Sequence, residues 1–294
     1  MLHLQVARHP HHTVAVVSGE IGTDQMMGNA VRLGARAAGG VEDVGGQAFE
    51  GEEGFKDLAR AIKSNPDLEV IIVHGGGPEI TQALKDANRE TVFIDGIRIT
   101  QAEDIRIVEN VLSGTINARI ATRLSANGVP CRRMSGKTEH LFMVEPFIRG
   151  NRDYGYVGRI KRVDAGVVLS TLKDRQVPIV SPISADRNGN SYNVNADSAA
   201  AALAASARCT DLLFLTDVPG VLVEEQTQLS LTVQKAKTLI ADGTIKAGML
   251  AKLESAFEAL EKNVPRVHIV QWQGADTLRD IIAKQCTTGT TIYT

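Results

Sequence analysis

Hydrophobic positions in this chain switch repeatedly between two periods, and the switching predicts a fold class. Val70-Ile71-Ile72-Val73 is an unbroken run of β-branched residues, the pattern of a strand covered on both faces. It runs into His74-Gly75-Gly76-Gly77-Pro78 and then a helical stretch over 79–88. Just upstream, apolar residues at 55, 58, 59 and 62 have the spacing of an amphipathic helix, closed by Asn65-Pro66-Asp67. Thr13 to Val17 is an earlier β-branched run that leaves through Ser18-Gly19-Glu20-Ile21-Gly22 and reads as the first core strand. Strand, helix, strand in this order predicts a parallel sheet. Between the two runs, residues 24–54 are broken by glycine after glycine and read as a long, insertion-bearing connection, with a few helical turns over 27–38.

Downstream the pattern predicts a short edge strand over 91–94 and a long helical segment over 102–127, closed by Gly128-Val129-Pro130. From 134 to 163, Leu141–Val144 and Tyr154–Ile160 alternate with glycine turns and no helical period intervenes, which predicts a hairpin excursion off the main sheet. A helix over 165–175 and a strand over 177–181 follow. The second half repeats the rhythm: an Ala-rich helix over 199–207, an apolar strand over 211–215, helices over 231–242 and 249–262, and closing strands over 267–270 and 290–293. Together these predict an α/β fold with a mainly parallel central sheet. No sharp linker, low-complexity tract or repeat divides it.

Composition narrows the partners. A formal net charge of -2 over 294 residues gives no electrostatic case for nucleic acid or an anionic membrane surface. No apolar run approaches the roughly 18 residues of a membrane span, and the N-terminus lacks the basic start and apolar core of a secretory signal, so the expected location is cytoplasmic. Cys131, Cys209 and Cys286 are scattered, which argues for reduced thiols and against a zinc site. The group His9, His11, His12 reads as a solvated terminus, so no resident metal is expected.

Several residues have chemistry beyond the core. A strand, three glycines and a helix start place free backbone N–H groups at a positive helix end, which suits a phosphate or carboxylate; from the local sequence a tight turn is an equal alternative. The glycines match neither of the standard nucleotide-binding patterns. Asn193, Asn195 and Asp197 alternate just before a helix, so they either converge at a strand end or supply its N-cap. Thr216-Asp217 falls at the C-terminal end of an apolar strand, where open α/β sheets bind ligands, although Asp217-Val218-Pro219-Gly220 is also good turn chemistry. Lys246 and Lys252 flank a helix start, where a cation opposes the helix dipole and suits a phosphoryl group. Arg98, in a glycine-flanked loop, suits a carboxylate. For each of these last three a plain solvated side chain is the alternative.

The joint arrangement carries more than any part. His74-Gly75-Gly76-Gly77-Pro78, Asp95-Gly96-Ile97-Arg98-Ile99-Thr100, Asn193-Val194-Asn195-Ala196-Asp197-Ser198-Ala199-Ala200, Thr216-Asp217-Val218-Pro219-Gly220-Val221 and Gly248-Met249-Leu250-Ala251-Lys252-Leu253-Glu254-Ser255-Ala256, in this order, resemble the amino-acid kinase family. The resemblance spans residues 55–294 and includes Ser135-Gly136-Lys137 and Tyr156-Val157-Gly158. It implies a three-layer α/β/α sandwich of the carbamate kinase type, in one domain over 1–294. An N-terminal lobe over about 13–180 would bind the acceptor and phosphoryl group, and a C-terminal lobe over about 181–294 would bind ATP.

The implied reaction is ATP-dependent phosphorylation of the side-chain carboxylate of N-acetyl-L-glutamate to an acyl phosphate, a step of arginine biosynthesis, with ATP and Mg²⁺ as cofactors. Carried over by position, Gly76 and Gly77 would donate N–H groups to the phosphoryl group, Arg98 would hold the acceptor's α-carboxylate, and Asn193 and Asn195 would contact the acceptor. Asp197 would orient the catalytic lysines and Lys252 would stabilise the transition state. Thr216, Asp217, Val218, Pro219, Gly220, Val221, Leu222, Thr244, Ile245 and Lys246 would form the ATP site.

One motif departs from the family. There the first strand ends in Lys-x-Gly-Gly, whereas here Val16-Val17-Ser18-Gly19-Glu20 carries no lysine, leaving Lys137, Arg32 or another cation to replace it. The alternative readings are a non-catalytic or regulatory homologue that binds nucleotide or amino acid, and a kinase for a related N-modified amino diacid such as aminoadipate. The hexameric, arginine-regulated relatives carry an N-terminal interlacing helix, for which the His- and Pro-interrupted stretch over 1–12 is too short, so the resemblance implies a homodimer.

Overall fold

The β-branched runs become neighbouring strands. β1 (His12–Ser18), α1 (Glu52–Ser64), β2 (Leu68–His74) and α2 (Gly77–Asp86) follow one another, and β1 pairs in parallel with β2 from His12↔Leu68 to Ser18↔His74. The structure, a computed structural model, describes residues 12–18, 51–94, 96–216, 218–245, 247–282 and 288–294. Most of the glycine-dense connection, Arg32 and the His9–His11 segment therefore lie outside the described residues. α1 starts three residues before the apolar spacing does, because Glu52 and Glu53 occupy its first turn, where acidic groups complement the helix dipole.

β3 (Phe93–Ile94) and β4 (Ile97–Arg98) form a two-residue hairpin of their own. This corrects the edge strand predicted over 91–94: the segment pairs locally and not with the main sheet. The predicted long helix is α3 (Ile105–Glu109), a π-helical turn (Asn110–Ile116) and α4 (Asn117–Ala126) in continuous succession. β5 (Cys131–Ser135) is the outer strand at one end of the main sheet. β6 (Phe142–Arg149) and β7 (Arg152–Val163) pair antiparallel, the hairpin off the main sheet that the alternation without helical period predicted, and they form part of a small closed barrel. α5 (Gly166–Lys173) and β8 (Val177–Ser181) return the chain to the main sheet; β9 (Ile183–Ala185) and β10 (Ser191–Asn193) complete the barrel.

The second half runs α6 (Ala196–Ala207), β11 (Asp211–Thr216), a small hairpin of β12 (Leu222–Val223) and β13 (Gln226–Thr227), and β14 (Ser230–Thr232). α7 (Val233–Ala241), α8 (Ala247–Glu261), β15 (Arg266–Gln271), α9 (Asp276–Ile282) and β16 (Thr290–Tyr293) follow. Leu231, predicted as helical, belongs to β14, and α7 begins only after Thr232, whose hydroxyl accepts from the Lys235 N–H at 3.2 Å.

The main sheet has eight strands in the order β14-β16-β15-β11-β1-β2-β8-β5. Every neighbouring pair is parallel except β15 with β16. Alternate strand residues feed two cores. Ile71, Val73, Val180, Leu212 and Phe214 pack with residues of α5, α6, α7 and α8, while Val70, Ile72, Ile179, Leu213 and Leu215 pack with α1, α2, the α3–α4 segment and α9. The result is three layers, α/β/α. Each fully buried Leu, Ile or Phe contributes about 1.5–3 kcal/mol. α6 carries alanines from 199 to 202 and again at 204 on buried positions, so its backbone lies close to both the sheet and α8.

This topology fixes where a site can form. β1, β2, β8 and β11 are mutually parallel and finish along one edge at Ser18, His74, Ser181 and Thr216. α6 and α8 each lead into the start of a parallel strand, so both run back across the sheet and present their N-terminal ends at that same carboxyl edge.

Candidate functional site

The glycine turn leaves β2 at the middle of this edge. Gly76 is the N-cap of α2 and Gly77 its first residue; with no side chain to cap the helix, the first-turn N–H groups face outward with a positive helix end behind them. A Cβ on Gly76 would collide with the Ile116 side chain and come within 3.1 Å of Leu112, so the π-helical turn presses directly against the glycine backbone. Pro78 enters at the start of the helix, where its missing N–H costs nothing.

Arg98 reaches this turn from the small hairpin. Its Nη2 donates to the Gly77 carbonyl and to Thr81 Oγ1, each at 2.9 Å, its Nη1 donates to Thr91 Oγ1 at 3.3 Å, and the guanidinium stacks 4.6 Å above the Phe93 ring. The side chain is buried, and burial lowers its pKa to about 10, which still leaves it charged at neutral pH. Among the described residues these hydrogen-bond partners are all neutral oxygens. A desolvated cation held by neutral acceptors is well suited to a carboxylate ligand.

Opposite, Lys252 lies in the second turn of α8 and is only 1% exposed. Its Nζ donates to both carboxylate oxygens of Asp197, at 3.2 and 3.1 Å, and sits 5.5 Å from the centre of the Phe214 ring on β11. The sequence placed Lys252 as a first-turn cation opposing the helix dipole; its actual role in the fold is half of a buried ion pair between α6 and α8.

The two alternatives for the three alternating polar residues are divided among them, because the chain turns helical at Ala196. Asn193 stays in β10 and donates to Thr100 Oγ1 at 3.2 Å, tying the barrel to the segment that carries Arg98. Asn195 caps α6, accepting from the Ser198 N–H at 2.9 Å, so the capping alternative holds for this residue. Asp197, in the first turn of α6, points inward to Lys252.

On the other flank, Thr216 ends β11 and is buried. Val221 is a core residue whose N–H donates to Thr290 Oγ1 at 2.8 Å, and Gly220, at φ 147°, has no room for a Cβ beside Thr290. Ile245 is also buried in the core, while Pro219, Leu222 and Thr244 are open to solvent. Asp217 and Lys246 lie outside the described residues. Lys137 faces Glu109 at 3.1 Å and Ser191 at 2.7 Å, two strands out from β2, so its charge is directed to that pair and away from Lys252.

Sequence reading missed three residues at this edge. Thr81 shares Arg98 and follows Gly77 at one helical turn, a spacing that marks it in retrospect. His74 and Asn117 are buried beneath the glycine turn; the only signal for Asn117 was an amide within the apolar stripe of a helix.

The α/β/α fold thus places a glycine-framed helix start, a buried arginine and a buried Lys–Asp pair at the carboxyl edge of its sheet. The sequence matches the Amino acid kinase family over residues 41–271, and the chain belongs to that family. It is 40% identical over 203 residues to an acetylglutamate kinase of Geobacillus stearothermophilus, covering 69% of this chain and 78% of that protein. It is 36% identical over 232 residues to an acetylglutamate kinase of Pseudothermotoga lettingae, covering 78% and 82%. Among solved structures, a carbamate kinase from Giardia lamblia bound to AMP-PNP shares the fold, with a TM-score of 0.61 at 16% identity over 97% of this chain and 99% of that one.

Proposed function

We propose that this protein phosphorylates the side-chain carboxylate of N-acetyl-L-glutamate with ATP, giving the acyl phosphate and ADP in arginine biosynthesis. The relatives named acetylglutamate kinase support this reading. The observation that carries it is the buried Lys252, held by Asp197 at the same sheet edge as the Gly76–Gly77 turn and Arg98.

In this mechanism Arg98 binds the α-carboxylate of the acceptor, and Asn193 and Thr100 line the acceptor side. The acceptor's side-chain carboxylate, already ionised at neutral pH, attacks the γ-phosphorus as the bond to ADP breaks, so no general base is required. The N–H groups of Gly76 and Gly77 and the ammonium of Lys252 stabilise the charge on the phosphoryl oxygens, and the protein's contribution is positioning and electrostatics. ATP occupies the flank formed by Thr216, residues 217–222 and residues 244–246. No group of three or more His, Cys, Asp or Glu side chains able to hold a metal occurs among the described residues. Both Asp197 oxygens are engaged by Lys252, so Mg²⁺ would enter on the phosphates of the nucleotide. The half of the chain up to about residue 180 serves the acceptor and the remainder the nucleotide, and the assembly is a homodimer, which light scattering would read directly.

A second reading is favoured by one observation: the first strand ends Val16-Val17-Ser18-Gly19 with no lysine. A non-catalytic relative would bind nucleotide or amino acid without turnover. ATP-dependent acyl phosphate formation, trapped by hydroxylamine, separates the two: turnover with N-acetylglutamate supports the enzyme, and nucleotide binding without turnover supports the second reading. Comparing kcat/KM for N-acetylglutamate and its aminoadipate homologue in the same assay fixes the acceptor, a difference of one methylene.

A further inference from the structure

His74 is a fully buried titratable group that the mechanism above does not use. It ends β2 immediately before the glycine turn, and its Nδ1 lies 3.0 Å from the Gly75 carbonyl oxygen. Its Nε2 lies 3.1 Å from Asn117 Nδ2. The neighbours of Asn117 decide which way both groups are oriented. Asn117 Nδ2 faces two backbone carbonyls, Ile179 at 2.9 Å and Met134 at 3.2 Å, while its Oδ1 accepts from Arg133 Nε at 3.1 Å. The Gly75 carbonyl can only accept, so the ring proton resides on Nδ1, where it donates to Gly75, and Nε2 is left as an acceptor facing the Asn117 amide, whose two hydrogens are shared among His74 and the two carbonyls. Burial lowers the pKa of the ring to about 4, outweighing the Gly75 hydrogen bond, so the neutral tautomer persists at neutral pH.

The consequence lies in the next peptide unit. The Gly75 carbonyl and the Gly76 N–H belong to one planar trans peptide, so they point in opposite directions. Anchoring the carbonyl on the buried His74 ring turns the Gly76 N–H to the opposite side of the peptide plane. Leu112 and Ile116 fill the space where a Cβ on Gly76 would sit, which further confines the turn. We propose that His74 and Asn117 are positioning residues that lock the Gly75–Gly76 peptide so that the Gly76 N–H is preorganised toward the transferring phosphoryl group. This inference deepens the phosphotransferase reading and rests on it. A donor fixed before reaction spends no reorganisation as charge develops, which places its effect in kcat and leaves ground-state binding alone.

Two measurements test it. In the wild-type protein, nitrogen-detected NMR of the His74 ring should show the Nδ1–H tautomer with no titration between pH 8 and about 5; an Nε2–H tautomer would overturn the proposal whatever the activity. In steady-state kinetics with ATP and N-acetylglutamate, His74→Leu should lose about 100-fold in kcat with both KM values within about threefold of wild type. His74→Asn, whose amide nitrogen falls near the position of Nδ1, should restore kcat to within about tenfold of wild type. A folded His74→Leu with wild-type kcat, a loss confined to KM, or equal loss in the Leu and Asn variants would overturn it. Wild-type protein that shows the Nδ1–H tautomer but no turnover would overturn the phosphotransferase assignment and, with it, the role given to this peptide, while leaving the geometry standing.

Discussion

Lys252 and Asp197 place opposite charges in a space nearly closed to water, and neither is stable there without the other. Truncating one partner of a buried ion pair costs about 3–5 kcal/mol because it strands the other charge. Lys252→Ala should therefore lose both catalysis and stability, by at least 100-fold in kcat and by about 3–5 kcal/mol in denaturant unfolding. Replacing both partners with apolar residues, Lys252→Met with Asp197→Leu, should recover most of the stability and none of the turnover. That divergence separates charge stabilisation in the reaction from charge balance in the fold. His74 makes a second prediction at this scale. Its pKa is depressed in the fold from 6.5 to about 4, with Glu79 and Arg119 as its charged neighbours, themselves paired at 2.5 Å. Above pH 6.5 both folded and unfolded chains hold a neutral ring. As pH falls from 6.5 toward 4 only the unfolded chain gains the proton, so this contribution to stability is lost across that window, by roughly 3 kcal/mol. Unfolding measured against pH should show a wild-type slope there that His74→Leu lacks.

At the scale of elements, the glycine turn, the π-helical turn and the N-terminal ends of α6 and α8 make the edge. Gly76→Ala would drive a Cβ into the Ile116 side chain. The terminal methyl of Ile116 can yield, so the expected result is a folded protein whose kcat falls by about 100-fold as the turn shifts off its N–H geometry. Shortening the obstacle in Gly76→Ala/Ile116→Val should restore part of that loss, and an unchanged Gly76→Ala enzyme would show that the turn does not carry the phosphoryl group. The pattern of apolar positions revealed these elements well where one period dominated: β2, β8, β11 and α6 fall within two or three residues of their predicted bounds. It failed where tertiary contacts decide. The segment over 91–94 has the composition of an edge strand, yet among the described residues it pairs with its own continuation over 97–99. Asn193, Asn195 and Asp197 look equivalent in sequence and part company because a helix starts between them.

For the whole molecule, the parallel order β11-β1-β2-β8 brings Gly76 and Lys252, 176 positions apart, to one edge. The opposite edge has a different chemistry. Asp211, at the start of β11, is buried and accepts from His268 Nε2 at 2.9 Å and Arg266 Nε at 2.8 Å, a network that joins strands and lies away from the candidate site. The fold class was legible because strand and helix periods alternate along the chain. The site was legible only through its combined motifs, since each glycine, lysine or asparagine has an ordinary structural use. The positioning parts proposed for His74 and Asn117 were not legible, although His74 stands in the glycine motif and Asn117 breaks an apolar stripe: the proposed part is an orientation, and orientation has no sequence signature. The departure at the first strand remains the sharpest challenge to an active enzyme, because Val16-Val17-Ser18-Gly19 offers no second cation beside Lys252. The most direct measurement is therefore hydroxamate formation from N-acetyl-L-glutamate and MgATP by the purified wild-type protein, with ATP binding recorded on the same sample. Acceptor-dependent hydroxamate that disappears in Lys252→Met/Asp197→Leu is the predicted result, and ATP binding with no acceptor-dependent product would contradict it.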